Sequence, residues 1–186
     1  MYERENLLRI FKETKKALER GDATKIRNLS NQTTNSASLT QDPDNIASAV
    51  IVYSLSKIIE RENYKNLKGW NEFYKKYIYC IDKAIEALKE NNEEKLRNYL
   101  REIIESVEIL EGDFKQNIRD VFQKAKINKA SKIYEHGISL ELTAKLLGIT
   151  LYDLISYIGN REDPSHTRST KISEKERIEN IEEFFK

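Results

Sequence analysis

Apolar residues recur at helical spacing through most of the chain, and the polar breaks between them mark the elements. Leu7, Leu8, Ile10, Phe11, Ala17 and Leu18 predict a helix over about residues 2–20, and Gly21-Asp22 supplies a stop and a restart. A short helical turn around Ala23 to Leu29 follows. It leads into SNQTTNSASLTQ, residues Ser30 to Gln41, whose hydroxyls and amides compete for backbone hydrogen bonds and predict an irregular loop over the bundle. Asp42-Pro43-Asp44 then offers a cap, a proline suited to the first helical position and an acid for the helix dipole. The segment it opens, IASAVIVYSLSKIIE, is apolar around most of its circumference. It reads as the central helix, since its length exceeds an ordinary strand and nothing else in the chain would pair with it.

Trp70, Phe73, Tyr74, Tyr77, Ile81, Ala84, Ile85 and Leu88 form a stripe held over five turns, closed by Asn91-Asn92. The next helix starts at Glu93-Glu94 and carries Leu96, Leu100, Ile103, Ile104, Val107 and Leu110 on one face. Gly112-Asp113 separates it from a helix whose inward side is Phe114, Ile118, Val121, Ala125 and Ile133, ending at Gly137. Beyond Gly137 the rhythm shortens. Ser139 caps one short helix, Gly148 turns it, Thr150 and Asp153 frame a capping box for the next, and Gly159 stops that. The polar linker NREDPSHTRSTK leads to a last helix opened by Ser173 and Glu176, with Ile178, Ile181, Phe184 and Phe185 along one edge. The expectation is therefore all-α: a bundle of about five helices over 1–137, a helix-turn-helix-like unit over 138–159, and a polar linker with a terminal helix over 160–186.

Composition narrows the function without naming it. With 39% hydrophobic and 34% charged residues, the chain suits helices that each show one face to water. Thirty-two basic against 31 acidic residues leave net charge +1, so nucleic acid or anionic lipid would have to be bound by a local patch. The single cysteine, Cys80, excludes an intramolecular disulfide, and the N-terminus lacks the basic-then-apolar plan of a signal peptide. The longest mainly apolar run, Ile46 to Leu55, is too short to span a bilayer. A cytoplasmic protein that does not enter the membrane is the expectation.

The segment LELTAKLLGITLYDLISYIG, Leu140 to Gly159, has the register of a helix-turn-helix, with Ala144 at the helix crossing, Gly148 at the turn and Leu147, Ile149, Leu154 and Tyr157 inside. Thr143 stands where an apolar residue is usual. The second helix presents Thr150, Leu151, Tyr152, Asp153, Ser156 and Tyr157 and no cation, so phosphate contacts would come from Lys124, Lys126, Lys129 and Lys132 on the preceding helix. Phe114 to Gly137 holds six cations against two anions. Leu140 to Gly159 holds one against two. The nucleic-acid set is thus Lys124, Lys126, Lys129, Lys132, Thr150 and Tyr152. Two short helices cannot also bury all of Leu151, Tyr152, Ile155 and Tyr157, so Leu151, Tyr152 and Ile155 form a candidate surface for a partner, a second copy or the bundle itself.

Enzymatic signatures are weak. One Cys and two His make no spaced metal-ligand set, and no glycine-rich phosphate loop occurs, so no metal and no small-molecule cofactor is expected. Arg161 and His166 in REDPSH resemble the arginine and histidine pair of the HEPN ribonucleases, in which the histidine serves as acid or base; here Pro164 splits the pair within a linker. The blocks DPDNIASAVIVYSLSKII, LGITLYDLISYIG and ERIENIEEFF resemble an uncharacterised family of archaeal helical proteins over most of the chain, and Leu140 to Gly159 is similar to helix-turn-helix regulators. The first resemblance implies an archaeal cytoplasmic origin and supplies no activity. The expected function is a non-catalytic regulator or adaptor that binds DNA or a protein handling nucleic acid. The alternatives are a pure protein-interaction module, such as an antitoxin or scaffold subunit, and a HEPN-like ribonuclease.

Overall fold

The computed structural model describes residues 3–160, and within them the chain runs as α1 (Arg4–Glu19), α2 (Ala23–Thr40), α3 (Pro43–Ile59), α4 (Trp70–Lys89), α5 (Glu93–Glu105), α6 (Gly112–Glu135), α7 (Leu140–Leu147) and α8 (Leu151–Gly159). Short 3-10 turns at Glu62–Asn66 and Ser106–Ile109 precede α4 and α6. Among the described residues there is no strand, so the all-α expectation holds. The anticipated terminal helix, and Arg161 with His166, lie outside the described residues.

Helix α3 is the hub. Asp42 caps it by accepting from Asp44 N at 2.8 Å, Pro43 occupies its first turn, and α1, α2, α5, α6 and α7 all pack on it. Its Ile46, Ala49, Val50, Ile51, Val52, Leu55 and Ile58 are buried around most of the circumference, as the apolar run requires. Asp44, itself buried, holds α5 through Arg97, whose Nε lies 2.9 and 3.0 Å from the two carboxylate oxygens.

The expected loop at Ser30 to Gln41 is instead the C-terminal two thirds of α2. The hydroxyls do not compete with the helix, because they bond backward within it. Thr33 donates to the Leu29 carbonyl (3.1 Å), Thr34 to Ser30 (2.8 Å), Ser38 to Thr34 (2.9 Å) and Thr40 to Ser36 (3.0 Å). Two hydroxyls of the run also tie α2 to its neighbours: Ser30 donates to the Ala49 carbonyl of α3 at 2.7 Å, and Ser36 accepts from Asn6 Nδ2 of α1 at 3.0 Å. Small side chains with internally satisfied hydroxyls let α2 lie against α3 over the most extensive helix interface among the described residues.

Helices α4, α5 and α6 complete the bundle, with Phe73, Tyr77, Ile81, Leu88, Leu96, Leu100, Ile103, Ile118 and Ala125 in the same core. Ile104, expected inward, is largely exposed, because the α5 stripe is completed by Ile103 one position earlier. Ala144, Leu147 and Leu154 join this cluster, so α7 and α8 sit on the bundle through α6 and α3. No helix of the described residues is long and apolar enough to cross a membrane.

Tyr77 is fully buried, and its hydroxyl donates to the Ile51 carbonyl of α3 at 2.7 Å. The Tyr77→Phe variant is expected to unfold at about 1 kcal/mol lower free energy in urea with an unchanged m-value, since one buried hydrogen bond is lost without a cavity.

Candidate interaction face and buried lysine seam

The candidate residues divide between two places: α6, and the start and outer side of α8. Lys124, Lys126, Lys129 and Lys132 do not form one cationic face. At 100° per residue the four fan over about 200° of the helix. Lys124 is exposed, Lys126 and Lys132 are half-buried, and Lys129 is fully enclosed. Lys129 falls in register with Ile118, Phe122, Ala125 and Ile133, the inward face of α6, and so cannot reach a phosphate on the surface as expected. That register was visible in the sequence; the charge of the residue masked it.

Around Lys129 the fold builds a polar seam between α6 and α2. Lys129 Nζ donates to Asn31 Oδ1 at 3.0 Å and Lys132 Nζ donates to the same oxygen at 2.7 Å, while one turn on His136 Nε2 lies 3.1 Å from Asn35 Oδ1. Lys129 Nζ also stands 4.4 Å from the centre of the Tyr53 ring on α3. No carboxylate of the described residues pairs with it. Burial, reinforced by the Lys132 charge, lowers the Lys129 amine from its ordinary range to about 6. An amide oxygen cannot neutralise two ammonium groups, and an uncharged Lys129 amine lets a charged Lys132 share it. Asn31, Asn35, Tyr53 and His136 were not singled out by the sequence reading, because their role exists only where α2, α3 and α6 meet.

On α7 and α8 the N-caps at Ser139 and Thr150 and the turn at Gly148 are as read, while Gly159, read as the stop, is the last residue of α8 and Asn160 is its C-cap. Ser139 Oγ accepts from Leu142 N at 3.3 Å, Thr150 Oγ1 accepts from Asp153 N at 3.0 Å, and Gly148 takes the left-handed conformation (φ 59°) that turns the chain between the helices. Thr150 is thus used as a cap. Leu154 is buried against the bundle, and Tyr157 is half-buried, its hydroxyl accepting from Asn128 Nδ2 at 3.0 Å. Opposite them Tyr152, Ile155 and Leu151 are 79%, 53% and 42% exposed, and Leu142 of α7 is exposed as well. Leu151 and Ile155 are one turn apart, so with Tyr152 they make one outward apolar stripe. The charged residues of α7 and α8 are Glu141, Lys145 and Asp153.

Cys80 is enclosed by the core, where burial raises its thiol to about 11, a setting for an inert rather than a reactive cysteine. Among the described residues no group of three or more His, Cys, Asp or Glu is placed to hold a metal ion. No protein-family model, no curated protein and no solved structure matches this chain.

Two substitutions probe this region. In the Lys129→Met variant the enclosed amine is replaced by an apolar chain. Between about pH 6 and 10.5 the unfolded wild type holds a proton that the folded state lacks, so wild-type stability rises with pH across that window. The variant should be more stable at pH 7, by on the order of 1–3 kcal/mol, with the advantage shrinking toward pH 10; urea unfolding at pH 6 through 10 reads this, and a difference constant with pH contradicts it. Thr143 is fully buried and its hydroxyl has no partner. Thr143→Val should raise stability by about 1 kcal/mol, measured as a higher urea midpoint.

Proposed function

We propose that this protein is a non-catalytic adaptor or regulator, and that the outer stripe of α8 docks a helix of a protein partner. The observation that carries this reading is Leu151, Tyr152 and Ile155 standing in water on a helix whose opposite side, at Leu154, already serves the core. A helix this short needs only one apolar face to be held in place, and among the described residues nothing packs on the second face. Tyrosine with flanking aliphatic residues is the composition of an interface centre. Glu141 and Asp153 suit a partner helix whose apolar stripe is edged by Lys or Arg.

Direct DNA reading is the second candidate, and Lys124 and Lys126 support it. Against it stand the enclosure of Lys129, the engagement of Lys132 with Asn31 and the absence of any cation on α8. The two readings separate by salt and by variant. Partner capture by apolar docking is expected to persist between ~50 and ~200 mM salt and to be lost in Tyr152→Asp, whereas Lys124→Glu with Lys126→Glu leaves it intact. Duplex binding that falls steeply over that salt range and vanishes in the double lysine variant, with Tyr152→Asp unaffected, overturns the docking reading.

A further inference from the structure

A groove of about 590 Å³ opens where the starts of α4 and α6 meet, lined by Lys68, Gly69, Glu72 and Phe73 on one side and Ile109, Leu110, Glu111 and Gly112 on the other. Its volume lies in the range of small-molecule sites. The lining is apolar at the aromatic ring of Phe73 and at Leu110. Ile109, in the 3-10 turn before α6, is 71% exposed, although that turn buries its neighbour Val107. Both entrances to the helices are made by glycine in the left-handed region, Gly69 at φ 89° and Gly112 at φ 55°. At Gly69 a Cβ would also come within 3.3 Å of Leu110 Cδ2, so the groove wall is closed by backbone with no side chain to spare.

The charges at the opening are unspent. Glu72, Glu111 and the adjoining Asp113 form no ion pair or side-chain hydrogen bond among the described residues, and neither does Lys68. Glu111 holds the position before α6 without capping it, and nearby Glu108 has already taken both Arg119 and Lys115. Each helix start carries roughly half a positive charge, so three carboxylates against one ammonium and two helix ends leave the opening net negative by about one charge.

We propose that this groove binds a small amphipathic amine: an apolar body lying on Phe73, Ile109 and Leu110, with its ammonium head at Glu72 and Glu111. An apolar body with a neutral head gains only the burial, and a carboxylate head meets repulsion. The chain provides its own reporter. Trp70, its single tryptophan, directly follows Gly69, stacks on Tyr74 at 5.2 Å and lies 6.5 Å from the Phe73 ring that lines the groove.

The test titrates the full chain with octylamine, 1-octanol and octanoate below their micellar concentrations at pH 7, reading Trp70 emission. Octylamine should saturate at a concentration roughly three-fold or more below octanol, with octanoate weakest. In Glu72→Gln/Glu111→Gln, two exposed positions where folding is preserved, the octylamine midpoint should rise to that of octanol while octanol is unchanged. Ile109→Ser should weaken both by about three-fold or more. A saturating response to none of the three ligands, tightest binding by octanoate, or an amine preference that survives in the double glutamate variant each overturns the proposal.

Discussion

Helix α2 lies on α3 because its inward residues are small and their hydroxyls find acceptors inside their own helix. A buried hydroxyl without a partner is expensive, and a long polar side chain would hold two helices apart. The run of Ser and Thr from Ser30 to Thr40 avoids both penalties: the hydroxyls of Thr33, Thr34, Ser38 and Thr40 return to the carbonyl one turn back, Ser30 ties α2 to α3 through Ala49, and Ser36 accepts from Asn6 of α1. With α2 in place, α3 is covered on enough sides to be the hub, and Asp44, Tyr77 and the α6 face take their positions from it. The remainder of the bundle is arranged around an interface that is polar by composition and buried by geometry.

That same interface explains Lys129. The inward register of α6 brings residue 129 to α2 and α3, where an apolar side chain would ordinarily sit, and the fold meets the lysine with an amide oxygen and a tyrosine ring rather than an acid. Helix α2 contains no Asp or Glu in its 18 residues, so no carboxylate is available to it from that side. Burial therefore favours the uncharged amine. Lys129 belongs to the interior of the protein, and the basic segment of α6 is divided into a solvated part at Lys124 and a structural part at Lys129 and Lys132.

The two surfaces left incompletely used have different characters. On α8 the apolar stripe is convex and carried by a short capped helix, which suits a partner helix laid across it. Between the starts of α4 and α6 the surface is concave and its opening is edged by unpaired acids, which suits a small ligand with a positive head. The first is made by side chains that project from a helix. The second is made by glycine turns that bring two helix starts together, with Phe73 and Leu110 already fixed by the core.

What the sequence determined by itself was the set of helices with a strong periodic signal. The α4 stripe, the Asp42-Pro43 start of α3, the Ser139 and Thr150 caps and the left-handed turn at Gly148 are all local features, and local physics is enough to read them. The excess of apolar residues on α8 was also legible, because a nine-residue helix has only one core-facing side and the count exceeds it. Tertiary structure decided what local preference leaves balanced. Ser and Thr at 30 to 40 suit a loop or a helix equally until α3 supplies a surface to pack on, and Lys129 reads as a surface cation until three helices close over it. The groove at Gly69 and Gly112 joins residues some 40 positions apart, and no pattern along the chain encodes a distance in space.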